Sequence, residues 1–270
     1  MAREGVLGDG DALGAPVKRS LVAFVACASC ASPAALPPTP VIPVTVTTAT
    51  PAPTFAPEPS KKSAPCPAGM ALLPEGGFAM TDRGDVHVDA FCMDVTEVTA
   101  AAYARCVDAA RCSDEGLVCE DVHTYRVAGK EDHPMNCVTP EQAQAFCNAN
   151  GKRLPTSMEW EWAARGAERG WAFPWGDAEP TDTQICWRRR ETCAVGAHPA
   201  DASPHGILDL AGNLVEYTST LRQGSSDPEY RGGSWAIHTA SFVRADNASG
   251  TFGSERRGDA MGFRCVASAR

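Results

Sequence analysis

Sulfur is the most plentiful reactive chemistry in this sequence. Twelve cysteines are spread over 270 residues, and ten of them lie from Cys66 onward, at 66, 92, 106, 112, 119, 137, 147, 186, 193 and 265. Structural zinc needs paired short spacings. After Cys30 there is no CxxC, and no histidine pair has finger spacing. Cys27-Ala-Ser-Cys30 is formally a CxxC, but it closes an apolar targeting segment away from any strand–helix context, so no redox or zinc role is expected there. An even number of cysteines in an exported chain reads as up to five disulfides. Spacing leaves their connectivity open. Cys186 and Cys193 flank the arginine-rich loop Trp-Arg-Arg-Arg-Glu-Thr and suit a local bridge, and Cys106 and Cys112 suit the end of one helix.

The other reactive residues have plainer readings. Glu159 and Glu161 are two apart on an expected helix, so they do not share a face as a glycosidase pair. His133 precedes Pro134 and reads as structural. His238 reads as a surface histidine. Arg188-Arg-Arg190 reads as a solvated loop before it reads as an anion site. Trp160, Trp162, Trp171 and Trp175 are expected in the core.

The whole-chain balance narrows the function class. Lys and Arg number 24 against 33 Asp and Glu, for a net charge of -9. That deficit of cations argues against nucleic acid as a partner. No apolar run approaches the ~20 residues that span a bilayer. Twelve cysteines without a metal pattern point to an oxidising compartment.

Two segments precede the domain. Lys18-Arg19, a short apolar run and a small residue before Cys27 resemble a bacterial lipoprotein signal. On this reading residues 1–30 are the signal, Cys27 takes the lipid, and that anchor is the only membrane contact. An ordinary secretory signal ranks second. Residues 31–65 hold ten of the 21 prolines and read as a semi-rigid linker rather than as core. Residues 66–270 remain as the domain.

Within the domain, Met70–Leu73, Phe78–Met80 and Val86–Phe91 alternate like short strands. Thr99 is a plausible N-cap ahead of an alanine-rich helix. Thr139 with Pro140 and Gln142, and Thr156 with Glu159, spell two capping boxes, and Gly166 ends the second of these helices. Beyond Gly166 periodicity fades into Gly, Pro, Asp and Trp. The expected class is α+β, low in regular structure and rich in disulfides.

Several segments stand in a telling order. They are Met70-Ala-Leu-Leu-Pro-Glu-Gly-Gly-Phe-Ala-Met80, Phe91-Cys-Met-Asp-Val-Thr-Glu-Val98, His133-Pro-Met-Asn-Cys-Val138, and Gly151-Lys-Arg-Leu-Pro-Thr-Ser-Met-Glu-Trp-Glu-Trp-Ala-Ala-Arg-Gly166. Phe173-Pro-Trp-Gly176, Gly206-Ile-Leu-Asp-Leu-Ala-Gly-Asn-Leu-Val-Glu216, Arg231-Gly-Gly-Ser-Trp235 and Gly262-Phe-Arg-Cys265 follow. Together they resemble the formylglycine-generating enzyme, or sulfatase-modifying factor, family over essentially all of residues 66–270. The resemblance implies a C-type-lectin-like fold, a structural calcium ion, and a disulfide between Cys147 and Cys265.

Active members oxidise a sulfatase cysteine with copper(I) held by two cysteines. In the family these lie three and eight residues after the serine of the Gly-Gly-Ser motif. Here the serine is Ser234, and the two positions are Ile237 and Phe242. Hydrocarbon and a benzene ring offer no soft donor, so copper is not expected. Val215-Glu216-Tyr217 also replaces the usual Trp-Glu-Trp. The former cleft would comprise Ser234, Trp235, Ile237, His238 and Phe242. Asp209, Gly212, Leu214 and Glu216 match the family's calcium ligands and mix carboxylates with backbone oxygens, as calcium requires. The family's other calcium site, around Gln184–Trp187, is altered here, and its ligands are not carried over.

These readings imply a non-catalytic binding or scaffold module of the cell envelope. Its partner would be an unidentified protein or small molecule. The alternative is an oxygen-dependent oxidoreductase of the same family, either formylglycine-generating or of the iron-dependent sulfoxide type. The latter uses histidines, and the six histidines here do not cluster in sequence.

Overall fold

Helix formation in this chain begins with three threonines. In a computed structural model, which describes residues 66–119, 122–248 and 257–269, each helix is capped by one of them. Thr99 accepts the Ala102 N–H and opens α1, Ala100–Asp108. Thr139 and Gln142 form a reciprocal capping box at the start of α2, Pro140–Ala149. Thr156 and Glu159 do the same for α3, Ser157–Ala164. Each box satisfies two N–H groups that a helix start would otherwise leave without partners. Gly166, in the left-handed region, turns the chain away after α3. The signal, the linker and Cys27 lie outside the described residues.

Among the described residues, eight short strands form three small sheets. β1 (Met70–Leu73), β4 (Phe91–Asp94) and β8 (Val266–Ser268) make an antiparallel sheet with β4 in the middle. β2 (Gly76–Met80) and β3 (Gly84–Val88) form a hairpin. β5 (Val215–Leu221) lies between β6 (Pro228–Arg231) and β7 (Met261–Gly262), antiparallel to the first and parallel to the second. The expected single strand Val86–Phe91 is in fact two. Its first half pairs with β2 and its second with β1 and β8, so the chain must turn at Asp89-Ala90. Alternation of side chains reads the same on both sides of such a corner.

Among the described residues, two large hydrophobic clusters and one small one hold these elements. Tyr103 of α1, Phe146 of α2 and Phe263 pack ring against ring. Trp160 and Trp162 of α3 fill the second cluster with Leu73, Phe91, Ile207 and Leu210. A Cβ at Gly76 would stand 2.7 Å from the Trp162 ring, so only glycine lets β2 approach this helix. Trp171 and Trp175 depart from expectation and are only half-buried. They sit in coil, Trp171 under the Arg169 guanidinium and Trp175 stacked on Phe173 at the edge of a small apolar cluster.

All ten cysteines from Cys66 onward are bridged, as 66–92, 106–112, 119–137, 147–265 and 186–193. The 147–265 bridge ties α2 to the segment entering β8, across 118 residues. The 186–193 bridge closes the arginine loop on itself.

Candidate cation centre and adjoining cleft

The loop 206–214 and the start of β5 converge on a sealed group of charges. Arg264, just after β7, is fully buried. It donates Nη2 to Glu216 Oε1 at 2.7 Å and Nε to Glu216 Oε2 at 2.8 Å. Its remaining donors reach the carbonyls of Asp94, Val95, Leu208 and Asp209. Trp160 Nε1 gives Glu216 Oε2 another hydrogen bond at 2.8 Å. Glu216 is therefore no solvated acid, and both its oxygens are engaged.

Three more buried carboxylates surround this pair. Glu97 accepts the Leu214 N–H at 2.9 Å and the Asn213 side-chain amide at 2.7 Å. Asp209 accepts the Gly196 N–H at 2.7 Å. Asp201 accepts the Asp209 N–H through Oδ2, while its Oδ1 is buried without a partner. Four carboxylates thus face one guanidinium where water does not reach. Burial, then Asp209 and Glu216, raise the Glu97 carboxyl well above its ordinary range. Burial raises Asp209 as well. Burial and then Asp209 push Asp201 up to about 8. Burial alone would weaken the Arg264 charge, but Glu216 overrides it and holds the guanidinium more firmly protonated. An excess of buried negative charge is relieved by protons or by a cation.

The donor set favours a hard cation. Asp209, Gly212, Leu214 and Glu216 are all buried on this loop and the start of β5, but both Glu216 oxygens are already taken by Arg264 and Trp160. Among the described residues nothing donates a hydrogen bond to the carbonyls of Gly212 or Leu214. Buried carbonyls normally find a partner. Gly212 has φ +88°, and a Cβ there would lie 2.5 Å from the Cys186 carbonyl oxygen, so the loop passes where only glycine fits. Oxygen donors with surplus carboxylate charge suit calcium. Sequence reasoning named the four motif residues and missed Glu97, Asp201 and Arg264. Arg264 was visible as a charge inside an otherwise apolar final motif, whereas Glu97 lies 117 positions from the N–H it accepts.

The residues expected to line the former cleft lie next to this centre. Asn213 links the two, since its carbonyl accepts the Trp235 N–H and its own N–H donates to the Cys186 carbonyl. Ser234 is buried, with Oγ unpartnered. Ile237 packs toward Phe173, Ile185, Trp187 and Val243. Phe242, 38% exposed, lies at the surface. His238 is exposed. The arginine loop is not merely solvated. Arg188 and Arg189 donate their backbone N–H groups to the Ile237 and Trp235 carbonyls, and the Arg188 guanidinium reaches the His238 carbonyl. That loop packs along the 235–238 segment. His133 Nδ1 lies 2.7 Å from Thr192 Oγ1, at the far end of the 186–193 loop.

No free thiol stands among the described residues, because every cysteine there is bridged. The residues present do not fit a copper(I) centre of the kind that the cleft motif implies.

Comparison with known proteins agrees with this architecture. The profile of the sulfatase-modifying factor enzyme 1-like domain matches residues 55–269. A Bos taurus protein named inactive C-alpha-formylglycine-generating enzyme 2 is 35% identical over 158 residues, covering 52% of this chain and 52% of that protein. The chain therefore spans about half the length of that relative. The Bos taurus formylglycine-generating enzyme is 26% identical, covering 80% of this chain and 77% of the enzyme. Among solved structures, PvdO from Pseudomonas aeruginosa superposes with a TM-score of 0.59 at 20% identity, over 74% of this chain and 94% of that one. The fold is the C-type-lectin-like one of formylglycine-generating enzymes, with few helices, small mixed sheets and several disulfides.

Proposed function

Because the chain belongs to the sulfatase-modifying factor enzyme 1-like family, we propose that it is a non-catalytic binding or scaffold module of the cell envelope, with the former catalytic cleft as its ligand-facing surface. One observation carries this reading. At the two positions where the family holds copper, this chain has Ile237, packed into a small apolar cluster, and Phe242, exposed at the surface. Neither offers a metal a donor atom. The similarity to a relative named inactive supports it. Five disulfides support export, and the lipoprotein-type start supports anchoring at Cys27. The ligand is an envelope protein or a small molecule that enters beside Trp235 and the arginine loop.

The second part of the reading is a structural calcium ion. Asp209 and the carbonyls of Gly212 and Leu214 would hold it, and Glu97 and Glu216 supply the balancing charge. Calcium there would cross-link the 206–214 loop and neutralise buried carboxylates. It would take no part in a reaction.

The test is direct. The purified full chain is loaded with copper(I) in air and offered a sulfatase-type cysteine peptide. No aldehyde is expected. Sustained multiple turnover would refute the non-catalytic reading and return the chain to the oxidases. Capture from envelope extract, repeated with Trp235→Ala, then asks whether the retained ligand depends on the cleft.

A further inference from the structure

We propose that Cys186, Cys193 and His198 form a redox-gated site for a thiophilic metal ion, closed as a disulfide and open as a dithiol. Among the described residues this is the one group of three cysteine, histidine or carboxylate donors whose ligand atoms converge, all within 4.8 Å of one another. The inference is independent of the binding-module reading, and either can fail alone.

Three features separate this bridge from a simple staple. First, the backbone holds both cysteines in place without the S–S bond. Asn213 donates its N–H to the Cys186 carbonyl at 2.8 Å, and its side-chain oxygen accepts the Cys193 N–H at 3.0 Å. The Asn213 amide group is itself fixed by Glu97 at 2.7 Å. Reduction would leave two thiols facing each other on a pinned frame.

Second, the imidazole has the kind of carbonyl partner that metal-binding histidines use. His198 Nδ1 lies 3.1 Å from the Thr183 carbonyl oxygen. A carbonyl only accepts, so Nδ1 carries the proton and Nε2 keeps its lone pair free. A histidine ligand typically donates its other ring N–H to such an oxygen.

Third, the spacing suits the ion. Zinc bonds of about 2.3 Å to sulfur and about 2.0 Å to nitrogen place ligand atoms roughly 3.5–4 Å apart. The three ligand atoms already lie within 4.8 Å of one another, close to that spacing. Three protein ligands leave a fourth position open.

The chemistry balances with a dithiol as reductant. The dithiol gives two electrons and two protons to the S–S bond, which breaks into two thiols, and the reductant closes into its own disulfide. A divalent metal ion then displaces the two thiol protons and forms two metal–sulfur bonds. Soft donors with one imidazole select zinc or cadmium over calcium or magnesium.

The experiment uses the full chain under graded dithiothreitol, with new thiols alkylated and located by mass spectrometry. Cys186 and Cys193 are expected to be labelled before Cys147 and Cys265. The partly reduced protein is then titrated with cadmium, and the thiolate-to-metal charge-transfer absorption is followed. One equivalent is expected to saturate the band. His198→Ala should weaken binding about tenfold or more, and the Cys186→Ser/Cys193→Ser double variant should show no band. Circular dichroism and an intact Cys147–Cys265 bridge report that the fold persists. Labelling of the 186–193 pair no earlier than the buried pair, no band at one equivalent, or wild-type affinity in His198→Ala would each overturn the proposal.

Discussion

Arg264 and Glu216 form an ion pair sealed from water, with Nη2–Oε1 at 2.7 Å and Nε–Oε2 at 2.8 Å. The pair joins the end of β7 to β5 and stands where carboxylates outnumber cations. Removing one partner of a buried pair leaves the other uncompensated, at a cost of about 3–5 kcal/mol. Arg264→Met should be worse than Glu216→Gln, because it strands Glu216, Glu97 and Asp209 together. Urea unfolding of the two variants measures the difference. A loss below about 1 kcal/mol for Arg264→Met would show that the cluster is already neutralised by protons.

Calcium is expected to raise thermal stability. At a hundredfold excess over its dissociation constant an ion bound only by the folded state contributes about 2.7 kcal/mol. For a domain of roughly 200 residues that is a rise in Tm of about 5–10 °C. A chelator should reverse it, and Asp209→Ala should abolish it. An identical Tm in millimolar calcium and in chelator would end the calcium reading. Gly212→Ala is expected to destabilise by about 2 kcal/mol or more even without calcium, since the added Cβ meets the Cys186 carbonyl and the backbone is left-handed.

The disulfides should differ in worth by the loops they close. The chain-entropy relation assigns about 5 kcal/mol to the 118-residue span of Cys147–Cys265 and about 2 kcal/mol to the 7-residue span of Cys186–Cys193. Double serine variants, compared by denaturant midpoint, test the order. Equal losses would mean that the shorter bridge holds more than its own loop.

Acid should loosen the start of α3. Burial works against ionisation of Glu159, but the Arg153 guanidinium and the Thr156 N–H outweigh it and lower its carboxyl below the usual value. The folded state therefore binds this proton more weakly than the unfolded one. The stability it contributes is present above the unfolded value of about 4.5 and is lost as pH falls through the lower folded value. Glu159→Gln should flatten this acid limb and cost about 1 kcal/mol at neutral pH. Stability curves of the two proteins between pH 3 and pH 7, roughly the span across which a carboxylate titrates, give the comparison. Parallel acid limbs would count against the assignment.

Local features of this protein were legible before the structure. The capping boxes at Thr139 and Thr156 involve residues three positions apart, and the bridge from Cys186 to Cys193 closes a short loop. Val86–Phe91 was misread as one strand because alternation does not say which neighbour each half will pair with. The arginine run was underestimated for a similar reason. Its charge was visible, but its backbone bonds to Trp235 and Ile237 were not.

The order of motifs, the capped helices, the wealth of cysteine and the missing soft donors at Ile237 and Phe242 belong to the sequence by itself, since each depends on residue identity or on near neighbours along the chain. Tertiary structure alone decided that Glu97, Asp201 and Arg264 would share one dry space with Asp209 and Glu216, and that His198 would meet the Cys186–Cys193 bridge. Glu97 and Arg264 meet that space across 117 and 48 positions, which only the packing of coil against coil under the cross-links can close; His198 is a near neighbour of Cys193 in the chain, and the fold decides only that its ring turns to the bridge.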